Sequence, residues 1–310
     1  MKIIRPTFWN KINLISLSLF PLTFITYLVN LIKNFSDKKK FSLKTICVGN
    51  IYVGGTGKTP LCIKINKILS KNYKTTFIKK KYTNQYDEQK LLSSNGNLIC
   101  RKNRANCLKT AKKQNYDLAI MDDGLQDKSI NYDLSIVCFN TSEAIGNGFL
   151  LPAGPLRENI STIKNYDAVF LNGEKKNKKL FLLLKKIKNN LKIFEGKYVP
   201  LNLKKFNRKK EFLIFSGLGN PEEFERTFKK NNFKIKEKFI FPDHYNFSNF
   251  EINNIKKIAK SKKLEIITTE KDYLRLNKNN KKNIKFLKIE LKIKNSKKFI
   301  KFLKEKLWKN

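Results

Sequence analysis

The stretch that decides the fold is residues 46–60, which read Ile46-Cys47-Val48-Gly49-Asn50-Ile51-Tyr52-Val53-Gly54-Gly55-Thr56-Gly57-Lys58-Thr59-Pro60. Its start continues an apolar run from Thr45 that predicts a buried strand, and the glycines followed by Lys-Thr predict a turn into a helix. Glycines let successive backbone N–H groups face phosphate oxygens, and the N-terminus of a helix adds partial positive charge. The sequence therefore predicts a phosphate-binding loop between a strand and a helix.

This loop has the side chains that nucleotide binding requires. Lys58 would reach the β- and γ-phosphates, and the Thr59 hydroxyl would ligate Mg²⁺. Tyr52 stands where the pattern G-x-x-x-x-G-K-[ST] has its first glycine. The alternative is a glycine-rich turn that binds nothing, but Gly-Gly-Thr-Gly-Lys-Thr directly after an apolar strand is an uncommon combination. The residues expected to bind ATP are Gly54, Gly55, Thr56, Gly57, Lys58 and Thr59.

A second apolar run, residues 117–121, ends in Asp122-Asp123-Gly124. In phosphate-loop proteins a carboxylate at the end of a neighbouring strand holds Mg²⁺, directly or through water. Thr59 together with Asp122 or Asp123 is therefore predicted to form the metal site. Asp-Asp-Gly by itself is equally typical of a turn, and its position downstream of a phosphate loop favours the metal site.

The chain is strongly basic. Its 310 residues include 66 Lys and Arg against 25 Asp and Glu, a formal net charge of +41. Such a charge favours anionic partners, but the lysines are spread along the whole chain and no nucleic-acid motif accompanies them, so we expect no nucleic-acid partner. The five cysteines lack Cys-x-x-Cys spacing and predict buried free thiols rather than a zinc site or disulfides.

Apolar strands and helical stretches alternate over residues 43–200, which is typical of a parallel sheet covered by helices. The composition turns basic near residues 200–210, and a second strand–helix series follows. The predicted fold class is α/β, with a P-loop NTPase-like parallel sheet domain, a smaller second α/β domain and an N-terminal membrane-associated helix. The predicted boundaries are 1–35 for the helix, 36–205 for the P-loop domain and 206–310 for the C-terminal domain.

Residues 12–32 are mostly apolar, contain no charged residue and are flanked by Lys11 and Lys33. Their length is close to what a helix needs to cross a bilayer, although polar residues such as Asn13 and Asn30 weaken the pattern. Three interpretations stay open: a membrane-spanning helix, a helix in the membrane interface, and a buried amphipathic helix. The lysines at 38–40 favour a cytoplasmic position for the residues that follow.

Together these motifs resemble the tetraacyldisaccharide 4′-kinases of lipid A biosynthesis. The resemblance covers nearly the whole chain, and Tyr52 in place of glycine is also characteristic of that family. It rests, in chain order, on residues 5–9 (Arg-Pro-Thr-Phe-Trp), 48–60, 122–126 (Asp-Asp-Gly-Leu-Gln), 150–158, 241–244 (Phe-Pro-Asp-His) and 268–272 (Thr-Thr-Glu-Lys-Asp).

The resemblance implies transfer of the ATP γ-phosphate, with Mg²⁺, to the 4′-hydroxyl of a lipid-linked disaccharide 1-phosphate. It implies action at the cytoplasmic face of the inner membrane and an active site in the cleft between two α/β/α domains, and we expect a monomer. Arg157 is expected to steady the transferring group or bind the substrate, and Glu158 to position it or join the metal shell. The residues implied in substrate binding are Tyr82, Gln126, Arg157 and Glu158.

The expected catalytic residues are Lys58, Asp87 and His244. Asp87 is predicted in a loop after the second strand and His244, the single histidine, in a loop of the second domain, where domain closure would bring them together. The resemblance implies that the carboxylate takes the hydroxyl proton while the imidazole orients or tunes it. The alternative for His244 is a cap of the helix that begins near Ser248.

Four positions depart from the family pattern. Lys80-Lys81 stand in place of Arg-Gly, Tyr86 in place of the glycine of Gly-Asp-Glu, and Asp127 in place of histidine. The main alternative function is a membrane-associated P-loop ATPase of the partition type, whose loop also resembles Gly-Gly-Thr-Gly-Lys-Thr. That class has a lysine directly before the two glycines, whereas this chain has Val53.

Overall fold

Residues 6–81, 86–219, 221–243 and 245–308 are described by the structure, a computed structural model. Within them the chain forms two compact units. The larger unit consists of residues 6–81, 92–198 and 291–308, and the smaller unit of residues 86–91, 199–219, 221–243 and 245–290.

The strands, in chain order, are β1 (Lys44–Gly49), β2 (Thr75–Lys80), β3 (Leu98–Arg101), β4 (Leu118–Asp122), β5 (Leu134–Asn140), β6 (Ala168–Asn172), β7 (Lys192–Pro200), β8 (Glu211–Ser216), β9 (Lys234–Ile240), β10 (Glu265–Thr269), β11 (Ile284–Leu287) and β12 (Ile289–Ile293). The helices are α1 (Leu14–Ser18), α2 (Thr23–Asn34), α3 (Lys58–Leu69), α4 (Tyr86–Ser93), α5 (Arg104–Lys113), α6 (Lys178–Ile187), α7 (Pro221–Lys230), α8 (Asn249–Ser261), α9 (Glu270–Arg275) and α10 (Ser296–Trp308).

The larger unit is built on a sheet with the strand order β12-β7-β6-β5-β1-β4-β2-β3. From β7 to β3 every neighbouring pair is parallel. β1 lies in the middle and is buried from Thr45 to Gly49, as expected for a parallel strand covered on both faces. Because Val48 lies opposite Asp122 in the β1–β4 register, the phosphate loop and the Asp-Asp-Gly segment follow their strands at the same edge.

Helices cover both faces of this sheet. On one face, Leu61 of α3 and Phe299 of α10 are buried with strand residues such as Ile46. On the other, Leu108 of α5 and Leu184 of α6 are buried with a second set of strand residues. The prediction of an α/β fold with a large parallel sheet is confirmed.

The smaller unit has a second parallel sheet, with the strand order β11-β10-β8-β9. Phe224 and Phe228 of α7 are buried in the apolar cluster on one of its faces. Ile252 and Ile255 of α8 are buried in the cluster on the other. The second strand–helix series in the sequence therefore forms a three-layer arrangement of its own.

The C-terminal residues differ from the expected domain boundaries. Residues 291–308 belong to the larger unit, although we expected them in the domain that begins at residue 206. The reason is that β12 extends the larger sheet and that Phe299 and Leu303 of α10 are buried in the core on one of its faces. Strand order of this kind is a property of tertiary structure that the strand pattern does not reveal.

A second difference concerns Asp87, which we expected in a loop of the P-loop domain. It lies instead in helix α4, in the segment 86–91 that belongs to the smaller unit. Ion pairs hold this segment there: the carboxylate of Asp87 contacts Arg275, and that of Glu88 contacts Lys271. Asp87 therefore needs no domain closure to reach the unit that contains residues 241–243.

The apolar N-terminal residues form the short helix α1 and the longer helix α2. In the part of the chain that the structure describes, no helix is both long and apolar enough to cross a membrane. Two polar side chains of α2 face the protein: Thr26 Oγ1 donates to the carbonyl of Leu151 and Asn30 Nδ2 to that of Arg157, each at 2.7 Å. Apolar side chains of the same helix, including Phe24, Ile25 and Ile32, are exposed. This is the reverse of the usual amphipathic arrangement in a globular protein.

Candidate active site

The predicted phosphate loop connects β1 to α3. Gly57 caps the helix with φ 85°, a left-handed backbone conformation that favours glycine. A Cβ atom there would lie 2.5 Å from the Tyr198 hydroxyl and 2.7 Å from Asn172 Nδ2. Position 57 therefore accepts only glycine without rearrangement of the neighbouring side chains.

Tyr52, which stands in place of the usual first glycine, connects the phosphate loop to a neighbouring strand. Its ring is completely buried, and its hydroxyl accepts a hydrogen bond from the backbone N–H of Asn140 at 2.7 Å. Asn140 is the last residue of β5, the strand beside β1. The hydrogen bond from Asn140 to Tyr52 therefore holds the start of the phosphate loop against the end of β5.

Asp122 ends β4 on the face of the sheet that α3 covers. Its Oδ2 atom accepts a hydrogen bond from Thr59 Oγ1 at 2.9 Å and contacts Lys79 Nζ at 2.8 Å. All three residues are buried. The structure therefore brings together two of the residues predicted for the metal site and adds a lysine that the sequence analysis did not identify.

Asp123 follows with φ 61° and faces different partners. Its Oδ1 atom lies 3.8 Å from Lys58 Nζ and 3.4 Å from Arg157 Nη1. Arg157 Nη1 also lies 3.3 Å from Gln126 Oε1. Four predicted site residues therefore lie next to one another after the ends of β1 and β4, namely Lys58, Asp123, Gln126 and Arg157.

Glu158 is buried, and both of its carboxylate oxygens accept hydrogen bonds. Its Oε1 atom accepts from Gln126 Nε2 at 3.1 Å, and its Oε2 atom accepts from Tyr166 and from Lys128 at 2.8 and 3.1 Å. Burial and the adjacent Glu158 carboxylate raise the pKa of Tyr166 above its ordinary value, so Tyr166 stays protonated and donates its hydrogen bond. Lys128 and Tyr166 were missed in the sequence because neither belongs to a recognised motif.

Several buried polar atoms around the loop have no hydrogen-bond partner among the described residues. These atoms are Thr56 Oγ1, Asn50 Oδ1 and both amide heavy atoms of Asn172. Buried polar groups normally have partners, and a polar ligand such as a phosphate would supply them. The loop therefore fits a phosphorylated ligand.

The oxygen donors at this edge also suit a magnesium ion. Thr59 Oγ1 and the carboxylates of Asp122 and Asp123 are hard ligands, and Mg²⁺ is usually held by one or two carboxylates together with substrate phosphates. Among the described residues, no group of three or more His, Cys, Asp or Glu side chains is arranged to hold a metal ion.

The smaller unit contains a separate cluster of charged side chains. Asp87 is buried, and its Oδ2 atom lies 2.6 Å from Arg275 Nη2 and 3.5 Å from Lys271 Nζ. Arg275 also contacts Asp272 Oδ1 at 2.7 Å. Burial lowers the pKa of Lys271, but the carboxylates of Glu88, Asp243 and Asp87 outweigh it and raise that pKa above its ordinary value. Arg275 and Lys271 thus hold the Asp87 carboxylate in a fixed position.

Two predicted site residues, Tyr82 and His244, lie outside the described residues. A third position of interest, Asp127, is described: its Oδ2 atom pairs with Arg104 Nη1 at 3.4 Å and its Oδ1 atom accepts from Ser129 at 2.6 Å. The carboxylate in place of the usual histidine therefore has its own partners in this chain.

The signal for Lys79 was present in the sequence. Residues of β2 alternate between the two faces of the sheet, so Lys79 lies on the same face as Phe77, which is buried under α3. A lysine on that face requires an anionic partner, and Asp122 is the adjacent one. Arg275 could not be predicted in the same way, because it lies outside the Thr-Thr-Glu-Lys-Asp motif, one helical turn after its last residue.

The two neighbouring aspartates are predicted to differ in their effect on stability. Asp122→Asn leaves the Lys79 ammonium buried without its anionic partner, so the free energy of unfolding should fall by about 3–5 kcal/mol. Asp123 is partly exposed, and Asp123→Asn should cost less than about 1 kcal/mol. Urea denaturation of the nucleotide-free proteins measures both values. Equal losses in the two variants would contradict the assignment of Asp122 as the buried partner of Lys79.

Comparisons with known proteins identify the family of this chain. A family model described as tetraacyldisaccharide-1-P 4'-kinase matches residues 11–308. The chain is 48% identical over 302 residues to the tetraacyldisaccharide 4'-kinase of Pelagibacter ubique, covering 94% of this chain and 95% of that protein. It is 34% identical over 312 residues to the protein of the same name from Rickettsia akari, with 94% of each chain covered.

The fold is similar to a solved structure. LpxK from Aquifex aeolicus, crystallised in complex with ATP, superposes with a TM-score of 0.72 at 23% identity, covering 95% of this chain and 100% of that one. The match in fold and the coverage of the family model extend over both units. The chain therefore belongs to the tetraacyldisaccharide-1-P 4'-kinase family.

Proposed function

We propose that this protein is an ATP-dependent lipid kinase that transfers the γ-phosphate of ATP to the 4′-hydroxyl of tetraacyldisaccharide 1-phosphate in lipid A biosynthesis. The observation that carries the proposal is the phosphate loop with Thr59 against Asp122 at the carboxyl edge of a parallel sheet, in a chain of this family. The partition-type ATPase is the weaker candidate, since the family match extends over residues 11–308.

Phosphoryl transfer requires mainly the positioning of phosphates and the neutralisation of their charge. In this proposal the amides of residues 54–59 bind the β- and γ-phosphates, and Lys58 places its ammonium on the transferring group. Mg²⁺, when bound, would neutralise phosphate oxygens, and Thr59 with Asp122 or Asp123 would hold it. Lys58 is already directed to this edge by the Asp123 carboxylate.

Arg157 and its neighbours are proposed to bind the acceptor or the transferring phosphate. Its side chain is more than a quarter exposed, and its guanidinium contacts Asp123 and Gln126, so it can reach a ligand without breaking a buried pair. Glu158 orients Gln126 by accepting its amide hydrogen bond. Tyr82 is proposed as a further substrate-binding residue on the family resemblance alone.

Asp87 is proposed as the group that accepts the proton of the 4′-hydroxyl, with His244 orienting or tuning it. A sugar hydroxyl is a poor nucleophile, and a positioned base assists its attack. The support in this chain is that Arg275 and Lys271 hold Asp87 in one place and that residues 241–243 belong to the same unit.

Asp87→Asn and His244→Ala should each lower kcat by about 10²-fold with little change in ATP affinity, because each removes part of one proton-accepting unit. The double variant should be scarcely slower than the slower single variant. Glu88→Gln is the matched control, since it removes a neighbouring carboxylate that also pairs with Lys271. Multiplying losses in the double variant, or an equal loss in the control, would argue against a catalytic pair.

Helix α2 is proposed to bind the surface of the inner membrane, with the catalytic units on the cytoplasmic side. Its polar residues Thr26 and Asn30 contact the loop that contains Arg157, while Phe24, Ile25 and Ile32 are exposed. Lysines near both ends of the apolar segment suit anionic headgroups. An acceptor held in the bilayer by its acyl chains would thereby be kept close to Arg157.

Replacing Ile25 and Ile32 together by glutamate should weaken binding to vesicles that contain anionic lipid, because the apolar face can no longer enter the interface. The KM for an acceptor presented in vesicles should rise about tenfold, because the enzyme spends less time at the membrane surface, while kcat stays near wild type. Phe250→Glu, which alters an exposed apolar residue of α8, is the control. Unchanged vesicle binding in the double variant would remove α2 from membrane association.

The transfer itself is tested with γ-labelled ATP and tetraacyldisaccharide 1-phosphate. Label should appear on the lipid in the wild type, and Lys58→Ala should reduce its rate to less than about a tenth without lowering the melting temperature, since Lys58 is not part of the core. Label released only as inorganic phosphate would favour the ATPase. An active Lys58→Ala variant would move the phosphate site elsewhere.

A further inference from the structure

The contact between Lys79 and Asp122 has no part in the proposed phosphoryl transfer. Lys79 Nζ lies 2.8 Å from Asp122 Oδ2, and the side chains are 2% and 0% exposed. A lysine this deeply buried is uncommon unless it is paired. Its position beside the proposed metal site therefore requires an explanation.

The sheet register places this lysine where it is. In the parallel β2–β4 pair, Ile78 lies opposite Met121, so the next residues along, Lys79 and Asp122, are also neighbours. Both point to the face that α3 covers, where Phe77 and Ile120 are buried. Lys79 therefore approaches Asp122 from β2, while Thr59 approaches it from α3.

Both groups meet the same oxygen atom. Asp122 Oδ2 accepts the hydrogen bond of Thr59 at 2.9 Å and contacts the Lys79 ammonium at 2.8 Å. In the absence of metal this ammonium neutralises the carboxylate and fixes its orientation. A divalent cation held between Thr59 and Asp122 would lie close to the same ammonium, and like charges repel strongly in a buried site.

We propose that Lys79 is a positioning residue that holds Asp122 against Thr59 in the metal-free protein and weakens the affinity of this site for Mg²⁺. This inference rests on the proposed function, because it takes Thr59 and Asp122 as the groups that receive the metal. Because of Lys79, Asp122 stays in contact with Thr59 even without metal. The same positive charge raises the Mg²⁺ concentration that is needed to occupy the site.

The test uses Lys79→Met, which keeps the length of the side chain and removes its charge. The full chain is titrated with Mg²⁺ in the presence of a non-hydrolysable ATP analogue and no lipid, and the melting temperature is recorded at each concentration. Without Mg²⁺ the variant should melt below the wild type, because Asp122 loses its partner. Its half-saturating Mg²⁺ concentration should be lower by about tenfold, because the competing charge is gone.

Two controls separate this role from a merely structural one. Lys79→Arg keeps the charge and should restore the wild-type Mg²⁺ dependence to within about twofold. Lys306→Met removes a lysine that pairs with Asp167 at 2.9 Å on the exposed side of the same unit and should leave the Mg²⁺ dependence unchanged. If Lys79→Met gives no folded protein, Lys79→Gln provides the uncharged variant, since its amide can still donate to Asp122.

The outcomes are distinct. An unchanged or higher half-saturating Mg²⁺ concentration in the uncharged variant overturns the role of Lys79, while wild-type stabilisation by Mg²⁺ and the analogue would leave the proposed function standing. A wild type that gains no stability from Mg²⁺ and the analogue overturns the metal site itself, and this inference with it.

Discussion

The buried carboxylate of Asp122 is the constraint around which the larger unit is arranged. An ionised group at the buried end of a central strand is costly unless charged and hydrogen-bonding partners surround it. Thr59 and Lys79 supply these partners from α3 and β2, so one side chain links the phosphate-loop helix to two strands of the sheet. The tight turn at Gly57 and the Tyr52 contact to β5 hold the loop that leads into this helix.

The smaller unit also contains buried carboxylates that are stabilised by cationic partners. Arg275 lies between the carboxylates of Asp87 and Asp272, and Lys271 adds a second cation. Asp272 also accepts hydrogen bonds from Thr269 and from the backbone of Gly217. Gly217 follows β8, and Lys271, Asp272 and Arg275 follow β10, so in each unit charged side chains lie at carboxyl ends of parallel strands, where α/β folds bind their ligands.

Much of the fold was predictable because its signals are local. The apolar run into Gly-Gly-Thr-Gly-Lys-Thr predicted β1, the loop and α3, and the run into Asp-Asp-Gly predicted β4. The position of residues 291–308 in the larger unit was not predictable, since the sequence of the short strand β12 does not indicate which of the two sheets it joins. The placement of Asp87 in the smaller unit was missed for a similar reason, because its ion pairs join residues nearly two hundred positions apart.

The site shows the same division between local and tertiary information. Residues in motifs, such as Thr59, Asp122 and Arg157, were predicted as site residues because their types and order are typical of phosphoryl transfer. Lys128 was not predicted because nothing in the sequence distinguishes it from the many other lysines, and Lys79 was missed although the alternation along β2 places it on a buried face. Two polar residues of the N-terminal run, Thr26 and Asn30, face the protein, whereas apolar residues of the same helix, such as Phe24 and Ile25, are exposed.

The central claim is that Thr59 and Asp122 form the metal end of a nucleotide site whose phosphates lie on the Gly54–Thr59 loop. A crystal structure of the protein with Mg²⁺ and a non-hydrolysable ATP analogue tests it most directly. The account predicts the β- and γ-phosphates on the loop amides and Lys58, with Mg²⁺ bound by Thr59 Oγ1 and by Asp122 or its bound water. A nucleotide whose phosphates lie away from this loop, or a metal ion bound without Thr59 and Asp122, would contradict it.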